Sequence, residues 1–65
     1  MAASEWNELE LLTARISELQ KRREATPKGR VGWLREMDRE MQRLERQRDM
    51  LLGYLNSQLI HRVAD

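Results

Sequence analysis

Two stretches with helical apolar spacing, separated by a short segment containing proline and glycine, constrain this chain most. Before the break, apolar residues recur at steps of three and four, which is the spacing of one helix face and not of a strand. They are Trp6, Leu9, Leu12, Ile16 and Leu19. Ser4 is a plausible N-cap, and acidic residues follow it where the helix dipole favours anions. The pattern predicts a first helix over about residues 5–25.

The second stretch carries a seven-residue repeat. Its two series are Leu34, Met41, Arg48, Leu55 and Met37, Leu44, Leu51, Gln58. Mostly apolar residues at these positions over three heptads are typical of a coiled-coil seam, which Arg48 interrupts. We expect Arg48 either to pair with Glu5 or Glu8 or to extend its charged end to solvent. The repeat predicts a second helix over about residues 33–63, weakened at Gly53 if anywhere, since glycine is a poor helix former.

The break between the stretches predicts a reversal of the chain. Pro27, Gly29 and Gly32 each penalise a helix interior, so one continuous helix is disfavoured. Either Thr26 and Pro27 begin the second helix, or residues 27–32 form a loop in which a glycine adopts a left-handed conformation. Both alternatives give the same product. We predict an all-α fold, an antiparallel two-helix hairpin with a turn at about 26–32, forming a single domain over residues 1–65.

The size of the chain predicts that this hairpin needs a partner. Sixty-five residues bury little surface, and the chain has no cysteine with which to form a disulfide or a thiolate metal site. Two helices also cover only one side of each other's apolar face. The sequence therefore favours completion of a helical bundle, either by dimerisation of the chain with itself or by a helical protein partner.

The unequal lengths of the two predicted helices indicate where that partner binds. The first would be about 32 Å long and the second about 46 Å, so the end of the second would extend past the first. The apolar residues expected there are Leu52, Leu55, Leu59, Ile60 and Val63. An exposed aliphatic patch of this kind marks an interface. The leading hypothesis is a non-catalytic protein–protein interaction module, a small adaptor or regulator that uses these residues.

Charge supplies the alternative hypothesis. Residues 1–20 have a net charge of −3, whereas residues 21–30 have a net charge of +4. The basic residues of the hairpin tip, called here the tip cluster, are Lys21, Arg22, Arg23, Lys28 and Arg30. Such a cluster, with an arginine-lined face on the second helix, suits the phosphates of a nucleic acid. It also suits a solvated turn, in which cations complement the carboxyl end of the first helix.

In size and shape, the chain resembles Rop-like RNA-binding hairpin dimers and the small helical co-chaperones of type III secretion. The first resemblance implies a nucleic-acid-binding regulator, and the second implies a co-chaperone of a secretion system. Similarity of fold does not by itself transfer a function.

Catalysis, cofactors and metal binding are not expected. His61 stands alone, and the carboxylates alternate with arginines at ordinary helix-surface spacing, so no catalytic, cofactor or metal site and no small-molecule substrate is predicted. The sequence contains no apolar run long enough to span a membrane, and its first residues lack the pattern of a signal peptide. These features favour the cytoplasm.

Overall fold

Two long helices make up the fold. The computed structural model describes the backbone of residues 3–64 and the side chains of residues 4–60. Helix α1 spans Ala3–Ala25 and helix α2 spans Val31–Ala64. The two helices pack against each other, and the described residues contain no strand. The predicted helical hairpin is therefore confirmed.

Helix α1 begins earlier than its sequence indicates. Its first residue is Ala3, so Ser4 lies inside the helix and the predicted N-cap role is wrong. The Ser4 hydroxyl instead donates to a Glu5 carboxylate oxygen at 3.0 Å. Glu5 remains in the first turn, and Arg22 and Arg23 lie in the last turn, where their charges complement the helix dipole.

The turn is shorter than predicted, because only residues 26–30 lie between the helices. The Thr26 hydroxyl donates to the Arg22 carbonyl at 2.7 Å, which satisfies one of the free carbonyls at the end of α1. The Arg30 amide donates to the Pro27 carbonyl at 3.1 Å, and the Leu34 amide donates to the Arg30 carbonyl at 3.0 Å. Helix α2 therefore begins directly after Arg30.

This turn differs from both sequence alternatives. Helix α2 does not begin at Thr26 and Pro27, and the loop does not extend to Gly32, which lies in the first turn of α2. In the described chain no glycine has a positive φ, so the expected left-handed glycine is also wrong. The reversal depends on Pro27 and on hydrogen bonds of the backbone and Thr26, because these satisfy the polar groups at the helix ends.

The core lies along the helix interface, mostly near the tip. A cluster formed by Ile16, Leu19, Met41 and Leu44 is buried, and Leu12 packs against it. Met37 and Leu55 are also buried. All seven of these positions come from the predicted apolar series, so the spacing correctly identified the faces that meet.

The register of the hairpin places Leu55 inside the interface between the two helices. Arg23 pairs with Asp38 across the interface. Because antiparallel helices rise by the same distance per residue, Leu55 then lies opposite Trp6. Leu55 is only 2% exposed, so the prediction that it extends beyond α1 is wrong. In this register Ala3 lies opposite Gln58, and only the last few residues of α2 extend further.

Candidate interaction surfaces

The tip cluster is partly neutralised by carboxylates of the helices. Nε of Arg23 lies 2.5 Å from Oδ1 of Asp38, and Nη2 of Arg23 lies 3.3 Å from Oδ2, so the guanidinium contacts both carboxylate oxygens. This pairing raises the pKa of Arg23, mainly through the hydrogen bond to Asp38. Nη2 of Arg22 lies 2.8 Å from a Glu18 oxygen. Two of the five predicted anion-binding cations thus bind carboxylates of the chain itself.

The other three members of the cluster are Lys21, Lys28 and Arg30. None of them belongs to an ion pair among the side chains of residues 4–60. They are exposed, two of them in the turn or at its edge. Within the described side chains, these three residues are thus the members of the tip cluster whose charges no ion pair neutralises.

A second basic surface, the arginine groove, lies beside the interface of the two helices. It has a volume of about 660 Å³. Its floor includes Leu19 and Met37, and Trp33 lines it at the tip end. Its charged and polar lining consists of Arg15, Arg22, Glu36, Arg39, Glu40, Gln42, Arg43 and Arg46. Five arginines and two glutamates give this lining a net charge of +3.

Ion pairs fix part of the groove. Arg43 contacts Glu40 through two hydrogen bonds, of 3.2 Å from Nε and 2.6 Å from Nη2. This contact lowers the pKa of Glu40, chiefly through the hydrogen bond, and raises the pKa of Arg43. Arg15 lies 3.7 Å from Glu18. Arg39 and Arg46 have no ion pair within the described part of the chain, so they are the groove's available cations.

Sequence reasoning identified only part of this groove. The arginine-lined face of α2 was expected, but the contribution of Arg15 from α1 was not, since its presence depends on the register of the hairpin. Trp33 is 53% exposed and lines the groove beside Leu19 and Met37. The available signal was the recurrence of arginine at steps of three and four along α2, from Arg35 to Arg46.

The open end of the hairpin, opposite the turn, carries exposed apolar residues. Leu59 is 48% exposed and Ile60 is 68% exposed, and Leu52 and Trp6 are also exposed. These four residues are called here the open-end residues. Trp6 lies opposite Leu55, and therefore between the levels of Leu52 and Leu59. Of the five predicted partner-binding residues, Leu55 is buried within the hairpin, and the side chain of Val63 lies outside the described residues.

Arg48 reaches neither of its expected partners. Its Nε lies 3.6 Å from an oxygen of the neighbouring Asp49, and its side chain is partly buried. In the observed register Arg48 lies opposite Thr13, more than one turn from Glu8. The expected pairing with Glu5 or Glu8 is therefore wrong, and the charged end of Arg48 extends towards solvent beside Asp49.

The described residues contain no cluster of three or more potential metal-ligating side chains. Neither described helix is long and apolar enough to cross a membrane. Comparisons with protein-family models, curated proteins and solved structures found no match to this chain. The surfaces described above are thus the basis for an assignment of function.

Proposed function

We propose that this chain is a non-catalytic protein interaction module that associates with itself through the open-end residues. The observation that carries the proposal is the exposure of Leu52, Leu59, Ile60 and Trp6 on a hairpin with a small core. Only six hydrophobic side chains are buried among those described. A second hairpin would cover the exposed apolar area and complete a helical bundle. The proposed location is the cytoplasm, where the absence of disulfides is no disadvantage.

Burial gives this association a sufficient driving force. Each large aliphatic side chain that becomes fully buried contributes about 1.5–3 kcal/mol. Leu59 and Ile60 are about half and two-thirds exposed, so much of that contribution is still available to an interface. Since two copies contribute the same residues, a symmetric contact would use each of them twice.

The test is a Leu59→Asp/Ile60→Asp double substitution. Leu55 is left unchanged because a charge at this buried position would unfold the hairpin. The unmodified protein should be a dimer or larger at micromolar concentration, with a melting temperature that rises with concentration. The double variant should be monomeric by light scattering, with most of its helical circular dichroism retained.

A matched control adds the same charges without removing apolar area. Ser57→Asp/Gln58→Asp changes two exposed residues of the same helix end, and it should preserve association. A monomeric, well-folded unmodified protein with a concentration-independent melting temperature would contradict the proposal. Equal association of the two double variants would show that Leu59 and Ile60 are not part of the interface.

A second candidate function is nucleic-acid binding, which the arginine groove favours. Arg39 and Arg46 are two turns apart on one face of α2, and Trp33 supplies an aromatic ring nearby. Arginines bind phosphates in a fork-like geometry, and aromatic rings stack on unpaired bases. For this second function we therefore propose the groove, which shares Arg22 with the tip cluster, as the binding site.

Gel-shift titration with single-stranded RNA and duplex DNA tests this second function. Binding through the groove should weaken steeply as salt increases, and Arg39→Gln/Arg46→Gln should reduce both the affinity and the salt slope. Lys28→Ser/Arg30→Ser is the matched control for the tip cluster, since it also removes two charges. No shift of either probe at low salt would reject nucleic-acid binding.

A further inference from the structure

We infer that two copies of this chain associate side by side and antiparallel, with the acidic start of α1 of one copy along the arginine groove of the other. The inference rests on the self-association proposed above and adds its geometry. The occupant of the groove is thus a second copy of the chain. Three independent features lead to this arrangement: the distribution of charge, the dimensions of the hairpin and the positions of its exposed apolar residues.

Charge is divided between the two ends of the molecule. Residues 3–14 contain Glu5, Glu8 and Glu10 and no basic residue, which gives a net charge of −3. Residues 15–47, which surround the groove and the tip, contain ten basic and six acidic residues, a net of +4. Parallel copies would place like charges together, whereas antiparallel copies place the acidic end beside the basic region. The charges therefore select one orientation.

The dimensions of the hairpin favour contact along its length. The molecule measures 55 × 15 × 13 Å. A long face of 55 by 15 Å offers about 800 Å² per partner, the usual size of a stable interface, whereas an end of 15 by 13 Å offers only about 200 Å². An end-to-end dimer would be too small to be stable. The two copies must overlap along most of their length.

Full antiparallel overlap aligns the acidic residues with the groove. The midpoint of the hairpin lies between residues 13 and 14 of α1, opposite Arg48 and Gln47. Glu8 lies about five residues from this midpoint towards the open end. Arg43 lies about five residues from it towards the tip. A two-fold axis at the midpoint therefore brings Glu8 of one copy to the level of Arg43 of the other.

The same axis also matches exposed apolar residues at both ends of the dimer. Leu59 lies about eleven residues from the midpoint, and Trp33 lies about fourteen residues from it in the other direction, so they differ by less than one helical turn. Ile60 and Val31 are their exposed neighbours. One arrangement thus pairs unlike charges near its centre and apolar side chains at its ends.

Charge reversal on each surface separately provides the test. One variant is Glu8→Arg/Glu10→Arg, and the other is Arg39→Glu/Arg46→Glu. In a dimer of either variant alone, the acidic start of α1 and the arginine groove would carry charges of the same sign. The association constant of each variant should therefore fall at least about tenfold at low salt, measured by sedimentation. An equimolar mixture should form a heterodimer with near-original affinity, because every reversed surface then meets an opposite charge.

Spin labels give an independent measurement of orientation. The chain has no cysteine, so a single label can be introduced through Lys28→Cys at the tip or Gln47→Cys near the midpoint. In the antiparallel dimer the two tip labels should lie about 40 Å apart, and the two midpoint labels should lie much closer together. Circular dichroism of each labelled or charge-reversed protein checks that the hairpin is still folded.

The outcomes separate this inference from the function on which it rests. A dimer with close tip labels would overturn the antiparallel arrangement while self-association stands. A dimer whose affinity neither charge reversal changes would also overturn the antiparallel arrangement, and would leave the groove to a nucleic acid or to another acidic protein. A monomeric chain would overturn both the arrangement and the proposed self-association. Distant tip labels together with recovery in the mixture would support the inference.

Discussion

The tip half of the hairpin, residues 15–47, differs sharply from the open half, residues 3–14 and 48–60. Five of the six buried hydrophobic side chains belong to the tip half, and Leu55 alone belongs to the open half. Four of the five ion pairs among the described side chains also lie in the tip half. Seven of the nine exposed large hydrophobic residues lie in the open half.

This difference explains how one small hairpin could both fold and associate. In the tip half, apolar side chains of both helices bury each other, and the ion pair between Arg23 and Asp38 joins the two helices. In the open half, much of the apolar area faces solvent, and burial by another chain is the main way to stabilise it. Partner binding is therefore expected to stabilise the open half more than the tip half.

The largest expected effect concerns Leu55, because the open half has no other buried side chain. Leu55→Ala should cost about 2–5 kcal/mol of local or global stability, as large-to-small core changes do. Since the tip core remains, the loss should concentrate in the open half. Hydrogen exchange should show faster amide exchange in residues 3–12 and 48–60, with protection near Ile16 and Leu44 retained.

Leu44→Ala provides the comparison for that experiment. Leu44 lies inside the buried hydrophobic cluster with Ile16, Leu19 and Met41, so its truncation should lower protection in both halves at once. If Leu55→Ala instead lowered protection uniformly along the chain, the two halves would form one cooperative unit and the contrast drawn above would be wrong. Leu59→Ala, at a half-exposed position, should change the stability of the single hairpin little.

The next effect concerns Gly53, which lies inside α2 in the open half. The helix is continuous through this residue, and a Cβ there would meet no atom within 4 Å. Gly53→Ala should therefore stabilise the hairpin by about 1 kcal/mol through helix propensity alone. Gly53→Ser should give a smaller gain, because serine ranks between the two. Thermal unfolding of the unmodified protein and the two variants measures the order of their stabilities.

A loss of stability in both variants would contradict this expectation. It would mean that another backbone approaches Gly53 closely in the associated state, since the single hairpin offers open space there. Repeating the measurement at several protein concentrations separates the two causes. A propensity effect is independent of concentration, whereas a steric effect at an interface grows with it.

The fold was accessible from sequence because helical spacing depends on local geometry. The series from Leu9 to Leu19 and from Leu34 to Leu55 identified which faces meet, and Pro27 identified the reversal. The register was not accessible, since it depends on which side chains pack and pair across the interface, such as Arg23 with Asp38. Without the register Leu55 was misplaced, and it is a core residue and not an exposed one.

The arginine groove could not be predicted from the sequence for a related reason. Arg39, Arg43 and Arg46 are spaced like ordinary surface residues of a helix, and the sequence does not state which residues of α1 lie beside them. Only the observed pairing of the helices adds Arg15 and the apolar floor. The roles of the groove and of the open-end residues stay predictions, because partner binding depends on a second surface that this chain alone does not specify.

A smaller effect is expected at the one ion pair that joins the two helices among the described residues, between Arg23 and Asp38. Both side chains are nearly half exposed, so solvent and salt screen their attraction. Arg23→Met should lower the melting temperature slightly at low salt and not at high salt. A double-mutant cycle with Asp38→Asn isolates the pair. A salt-independent loss would assign the effect to packing of the arginine stem.

The smallest expected effect is a dependence on pH at Glu40, in the tip half. Its pKa is lowered, first by the hydrogen bond from Arg43 and also by the charges of Arg43 and Arg15. A lowered pKa in the folded state means that the ionised carboxylate stabilises the fold above its ordinary pKa, and that this contribution is lost as the pH falls through the lowered value. Because Glu40 is near the surface, the gain in stability is small. Carboxyl NMR titration should give a pKa below that of a model glutamate, and Arg43→Gln should raise it. An unchanged pKa in that variant would show that Arg43 does not cause the shift, and that the hydrogen bonds lining the groove are not kept in solution.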